Sequence, residues 1–191
     1  MNRPFIADKT FKGVSYTATR LPQGEYDSCV FEGCDFSNSY LSNTHFLDCE
    51  FIDCNLSNAN IKFTLFKEVL FQDCKLLGLK FSDCDTTFMA FRFEHCSLDF
   101  ASFYQLSLPR TLFKDCSLQE VDFAEAVLAE SRFENSNLAR AIFDRTDLMQ
   151  TDFSTAYNMT IDPAQNKIKK AKFSREGALS LLGTYDIVIE D

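Results

Sequence analysis

The sequence contains no tryptophan and only six glycines among its 191 residues. It holds neither a GxGxxG nor a GxxxxGKS motif, so no dinucleotide site and no P-loop nucleotide site is expected. It also lacks any long apolar run, because polar residues interrupt the hydrophobic ones throughout, and this argues against a membrane-spanning helix. The first eleven residues show no apolar stretch of the kind that a signal peptide requires.

Basic residues are scarce relative to acidic ones. The formal net charge is -9, and residues 26–157 contain ten Lys and Arg against 21 Asp and Glu. An acidic surface repels nucleic acid and attracts basic protein surfaces. The basic residues form no stripe interleaved with exposed aromatics, so we expect a protein partner and not a nucleic acid.

Phenylalanine, in contrast, is abundant, with 21 copies. Apolar residues recur every fifth position from Tyr26 to Phe81 and, after a shift of two residues within Ser82–Thr87, again from Phe88 to Phe153. We call each of these positions i; the residue at i−2 is usually small. A period of five does not suit a helix with 3.6 residues per turn. One small and one large inward side chain, two residues apart, is the alternation of a strand.

The five-residue units themselves repeat in groups of four. Once the shift is allowed for, every fourth apolar residue falls in one of four columns with similar members. The first column begins Phe31, Phe51, Phe71 and Phe93; the second begins Phe36, Leu56 and Leu76; the third begins Leu41, Ile61 and Phe81; the fourth begins Phe46, Phe66 and Phe88. The columns predict coils of about 20 residues, in which like residues stack on like. Parallel pairing of about six coils gives a rod of roughly 30 Å.

The repeat units carry a family resemblance. Cys34–Asn38, Cys54–Asn58 and Cys116–Glu120 resemble the pentapeptide-repeat motif, which has a small residue at i−2, Asn or Asp at i−1, and Leu or Phe at i. The sequence departs from the motif at many i−1 positions, such as Ser117. The resemblance implies an all-β fold, namely a right-handed quadrilateral parallel β-helix with a short C-terminal α-helical cap.

The repeat predicts a solenoid over residues 1–173 and a separate segment at 174–191. Within the solenoid we expect an N-terminal cap at about 1–10, a bulge at 82–87 and a ragged last coil at 158–173.

The C-terminal segment is predicted to contain a helix that Ser174 caps and Gly183 ends, followed by a short strand at 187–189. A solenoid end exposes its core and needs such a cap. The helix also carries more apolar residues than one small cap buries, so a dimer contact is the alternative interpretation. This ending resembles the Qnr and MfpA branch of the family, which implies two rods paired head to head. The candidate contact residues are Ala178, Leu179, Leu182 and Tyr185.

The eight cysteines are interpreted as core residues. Seven lie at i−2, and the eighth, Cys84, lies at the break. No CxxC pair or histidine at zinc spacing is present, so no metal is expected. Reduced thiols indicate a cytoplasmic protein. Neither histidine has a nearby Ser or Cys placed as an activated nucleophile, and a convex rod offers no cleft, so we predict neither an enzyme nor a cofactor.

Acidic residues cluster on the surface outside the first column. The outward positions there include Glu32, Glu50, Asp53 and Asp73, with no base among them. An acidic rod of about duplex width can occupy a basic groove that normally holds DNA. The Qnr and MfpA resemblance implies binding to DNA gyrase or topoisomerase IV and protection from quinolones. The alternative is a generic protein-interaction scaffold that uses the bulge.

Overall fold

Short strands separated by corner turns build the chain. The computed structural model describes residues 3–185, 187, 188 and 190. Within them the strands are β1 (Phe5–Ala7), β2 (Thr10–Lys12), β3 (Glu25–Asp27), β4 (Val30–Glu32), β5 (His45–Leu47), β6 (Glu50–Ile52), β7 (Leu65–Lys67), β8 (Val69–Gln72), β9 (Phe91–Glu94), β10 (Leu112–Lys114), β11 (Arg132–Glu134), β12 (Asp152–Phe153) and β13 (Lys172–Phe173). A 3₁₀ turn covers Phe81–Asp83, helix α1 covers Arg175–Ser180, and a second 3₁₀ turn covers Leu181–Tyr185.

All strand pairs are parallel and stack one coil on the next. A nine-stranded sheet has the order β13-β12-β11-β10-β9-β8-β6-β4-β2 and forms what we call the first face. The sheet β1-β3-β5-β7 begins the fourth face, and isolated bridges such as Ser97↔Ser117 and Ser102↔Asp122 line the second and third. The predicted parallel β-solenoid is confirmed. With about 4.8 Å between strands, the nine-stranded sheet is about 38 Å long. The rod exceeds the predicted length because both ends continue the stack.

The columns form the core as stacked rings. Phe31 lies over Phe51 with ring centroids 4.8 Å apart, and Phe113 lies over Phe133 at the same distance. Rings of neighbouring columns meet edge to face, as Phe103 does with Phe113 at 82°. Both arrangements are favourable for aromatic pairs. Repeated stacking of one ring size explains why the sequence uses phenylalanine so heavily.

The small position i−2 carries a ladder of hydrogen bonds. Its thiol or hydroxyl donates to the carbonyl of position i in the preceding coil. Cys54 donates to the Phe31 carbonyl at 3.2 Å, and Thr146 donates to the Phe123 carbonyl at 2.9 Å. Burial raises the pKa of Cys49 to about 12, so this thiol stays protonated at neutral pH. Cysteine, serine and threonine therefore fill the same position because each is small and can donate.

Thr44 departs from this ladder, since its buried hydroxyl has no hydrogen-bond partner among the described residues. We expect Thr44→Val to raise the free energy of unfolding by about 1 kcal/mol, because a buried unpaired polar group is removed. Thr64, one coil further on, donates to the Leu41 carbonyl at 2.9 Å and provides the control. Thr64→Val should lower the free energy of unfolding by about 1 kcal/mol. Urea denaturation followed by circular dichroism measures both, and a destabilised Thr44→Val would contradict the interpretation.

The break in the period lies slightly later than the predicted 82–87. A bridge between Leu65 and Asp85 keeps the register up to Asp85, and Phe91 then pairs with Val69 at position i−2. Residues 86–90 between them form the bulge. The prediction that Phe88 fills the fourth column is wrong, since its side chain is 78% exposed at a turn with φ of 54°.

Phe91 fills the core in place of Phe88. It is only 7% exposed, and its ring centroid lies 5.6 Å from that of Phe66 and 5.1 Å from that of Phe81. Thr86 occupies the core register of the fourth column, but it is exposed. Phe91, at an i−2 position that is otherwise small, therefore fills the space that a large residue would occupy at Thr86.

The C-terminal helix closes the end of the rod. The N–H of Gly177 donates to the Ser174 hydroxyl at 3.0 Å, which confirms the predicted cap. Gly177 is buried, and a Cβ there would come within 2.7 Å of Met159 Cε, so glycine permits the close approach. Ile187 and Val188 do not form the predicted strand, because no neighbouring strand pairs with them among the described residues. Ile189 lies outside the described residues.

Candidate protein-binding surface

The four predicted acidic residues lie on three consecutive coils of the first face or at its margin. Glu32 ends β4 and Glu50 begins β6, where strand alternation turns their side chains outward. Asp53 and Asp73 occupy the corner turns after β6 and β8, with φ of 51° and 54°. Aspartate tolerates this left-handed conformation better than most residues do. The structure therefore places all four on one side of the rod.

One of these acids has a basic partner. Glu32 pairs with Lys12 at 2.7 Å, because residues 20 apart lie side by side in neighbouring coils. The base comes from the coil before these acids, which the prediction from the sequence did not include in this part of the face. Glu50, Asp53 and Asp73 form no ion pair within the part of the chain that the structure describes.

Acids of the C-terminal half differ, because stacked cations pair with many of them. The spacing of 20 residues brings four of these acids next to a base of the following coil. The pairs are Glu120–Arg140, Glu125–Arg145 (2.8 Å), Asp147–Lys167 (3.5 Å) and Asp152–Lys172 (3.1 Å). Such exposed pairs contribute little to stability, but they cancel local charge. Unpaired negative charge is therefore concentrated towards the N-terminal half.

Two further acids extend this region. Asp48 and Glu68 occupy the corner between the fourth and first faces, each two residues after a core position. Both line the same groove as Glu50, and neither forms an ion pair among the described residues. Asp48 and Glu68 are 20 residues apart, so the coil period would have predicted from the sequence that they lie side by side. We call Asp48, Glu50, Asp53, Glu68 and Asp73 the acidic patch.

The predicted dimer residues lie on the outer side of the terminal segment. Leu179 is 41% exposed, Leu182 is 37% exposed and Tyr185 is 54% exposed, and Ala178 is exposed as well. Leu181, in contrast, packs against the core of the rod. The helix therefore caps the solenoid with one side and presents an apolar surface on the other.

The described residues contain neither a cluster of metal ligands nor a helix that could cross a bilayer. They contain no group of three or more His, Cys, Asp or Glu side chains that could hold a metal ion. All eight cysteines are free and buried. No helix in the described ranges has the length and apolar character needed to cross a bilayer.

Comparisons with known proteins agree with this architecture. A trypsin-treated variant of QnrB1, a plasmid-mediated fluoroquinolone resistance protein, superposes with a TM-score of 0.77 at 16% identity, covering 100% of this chain and 93% of that chain. Full-length QnrB1 gives a TM-score of 0.64 at 16% identity, covering 96% of this chain and 100% of that chain. No curated protein sequence matches. The family model described as the pentapeptide repeat region matches residues 25–92 and 86–165, and the chain therefore belongs to the pentapeptide-repeat family.

Proposed function

We propose that this protein is a non-enzymatic acidic rod that binds a type II topoisomerase, either DNA gyrase or topoisomerase IV, as a DNA mimic. Such binding would protect the topoisomerase from quinolones in the cytoplasm. The observation that carries the proposal is the unpaired acidic patch on the first face of a rod. The fold of QnrB1, a fluoroquinolone resistance protein, gives further support.

The acidic patch suits a basic groove for physical reasons. Its side chains project from a surface whose backbone is held by hydrogen bonds between coils, so binding has to order little of the chain. Because Glu50, Asp53 and Asp73 lack basic partners among the described residues, their charges remain available to a partner's Lys and Arg. The attraction should steer association and weaken as salt concentration rises.

We also propose a homodimer through the C-terminal segment. Ala178, Leu179, Leu182 and Tyr185 together expose an apolar surface that a single rod leaves uncovered. A second copy could cover the same surface under two-fold symmetry. End-to-end pairing would place one acidic patch on each half of a longer rod.

Two assays test the proposal: DNA supercoiling by gyrase and DNA relaxation by topoisomerase IV. Each is run with and without a quinolone. Wild-type protein should inhibit the enzyme or protect it from the drug. The variant Glu50→Lys, Asp53→Lys, Asp73→Lys should need at least about tenfold more protein for the same effect, because like charges then face the basic groove. Glu32→Lys should change the result less, since Lys12 already neutralises that carboxylate.

A matched control separates the patch from net charge. The variant Glu120→Lys, Glu125→Lys, Asp147→Lys changes the charge equally but at acids that already have basic partners. It should retain activity in both assays. Equal losses in the two triple variants would contradict a localised patch, and inactive wild-type protein would overturn the topoisomerase proposal.

A further inference from the structure

A groove runs beside the bulge, at the corner between the fourth and first faces. Its volume is about 930 Å³. Phe88 and Met89 of the bulge form one wall, Leu70 and Leu112 of the first face contribute to the floor, and Pro109 lies at the far side. The bulge therefore borders a concave site whose lining combines apolar side chains with charged ones.

Charge is divided along this groove. The end nearer the N-terminus carries three acids and one base, namely Asp48, Glu50, Glu68 and Lys67. The opposite end carries three bases and one acid, namely Arg92, Arg110, Arg132 and Glu94. Arg92 and Arg132 occupy the same row of the first face two coils apart, a separation of about 10 Å. The groove is therefore bipolar, although the whole chain has a net charge of -9.

Two of the three arginines are available to a ligand. Arg92 and Arg110 are exposed, and neither forms an ion pair or a side-chain hydrogen bond among the described residues. Arg132 pairs with Glu134 at 3.1 Å. Arginine can bind carboxylates with two parallel hydrogen bonds, so this end of the groove is complementary to acidic side chains.

The exposed ring of Phe88 stands on an anchored backbone. The Val69 N–H donates to the Ala90 carbonyl at 3.0 Å, and the Ala90 N–H donates to the Phe66 carbonyl at 3.3 Å. At the other end of the bulge the Thr87 hydroxyl and N–H donate to Asp85, which lowers the pKa of that carboxyl. The backbone that carries the ring is therefore ordered before a partner arrives, and this reduces the entropy lost on binding.

We propose that the groove binds an acidic and apolar peptide segment of a protein partner. The acidic residues of the segment contact Arg92 and Arg110, and its apolar side chains pack against Phe88 and Met89. Exposed arginine and aromatic residues around a recess are typical of the residues that dominate binding energy at protein interfaces. The acidic end repels further acidic residues and thereby fixes the direction of the segment. The proposal does not depend on topoisomerase binding.

Fluorescence anisotropy with a short fluorescein-labelled peptide, a run of aspartates followed by leucines, tests the proposal. Wild-type protein should bind it saturably, with a Kd of about 1–100 μM. The variant Arg92→Glu, Arg110→Glu should weaken binding at least about tenfold, because acids then face acids. Phe88→Ala should weaken it about fivefold, because the exposed ring is removed. Circular dichroism establishes that each variant keeps the fold.

The control variant Arg140→Glu, Arg145→Glu makes the same charge change away from the groove, where these arginines pair with Glu120 and Glu125. It should leave peptide affinity unchanged. Three results would overturn the proposal: no binding of the peptide at about 1 mM, equal losses in both double variants, or tighter binding of a single-stranded oligonucleotide than of the peptide.

Discussion

Replacing Phe91 by alanine is expected to lower the free energy of unfolding by about 3–5 kcal/mol. The side chain is 7% exposed, and its ring centroid lies 5.1 Å from that of Phe81 and 5.3 Å from that of Phe93. It occupies the place where the fourth column lacks its own large residue, so its removal leaves a cavity in the core. Urea denaturation measured by circular dichroism gives the value.

Phe88 provides the matched control three residues earlier. Its side chain is 78% exposed, so Phe88→Ala should change the free energy of unfolding by no more than about 0.5 kcal/mol. If Phe88→Ala destabilised the protein and Phe91→Ala did not, the register of the bulge given above would be refuted. The pair therefore tests the position of the break directly.

Charging the outer side of the terminal segment should separate the proposed dimer. In the variant Leu179→Glu, Leu182→Glu, four carboxylates would lie within one two-fold contact. We expect the dimer dissociation constant to rise at least about a hundredfold, because ionised groups would lose water without gaining partners. Sedimentation velocity over a range of protein concentrations measures the shift.

Tyr40 and Ile142 supply a control for the change in charge and hydrophobicity. Tyr40 is 51% exposed and Ile142 is 50% exposed, and both lie in repeat coils outside the terminal segment. Tyr40→Glu, Ile142→Glu should leave the association state unchanged. Wild-type protein that remained monomeric at about 100 μM would rule out the dimer, as would equal dissociation of both variants.

The sequence predicted the solenoid because its signal is local and repeated. Each core residue lies five positions from the next, and each column member lies about 20 from the next, so spacing alone specifies which rings stack. The same spacing would have predicted the pair between Lys12 and Glu32, which are 20 residues apart. Ion pairs between neighbouring coils can thus be predicted from the sequence in the same way as stacked apolar residues.

The break was harder to place for a physical reason. The spacing allows Thr86, Phe88 or Phe91 to lie in or beside the fourth column. The five-residue period alone does not determine which of the three side chains is buried. The structure resolves this by packing. Phe91 enters the core at a position that is otherwise small, which no periodic pattern indicates. The groove beside Phe88 arises from this choice and was therefore not predicted.

The C-terminal segment shows a different limit. Ser174 was predicted as a helix cap because its hydroxyl and the N–H of Gly177 are neighbours in sequence. Ile187 and Val188 have the composition of a strand, but a strand requires a partner in space. In the C-terminal segment, the sequence therefore predicts the helix cap, but it does not predict whether Ile187 and Val188 find a strand to pair with.

The coil register also determines how this rod can change in length. Deleting residues 133–152 would join Arg132 to Phe153, which takes the structural place of Phe133 because the two stack in neighbouring strands. The groove and the terminal helix would then lie one strand spacing closer, about 4.8 Å, with only the small rotation between adjacent coils. Insertions of other lengths would require a bulge. The length of the rod can therefore change only in steps of one coil unless a bulge is introduced.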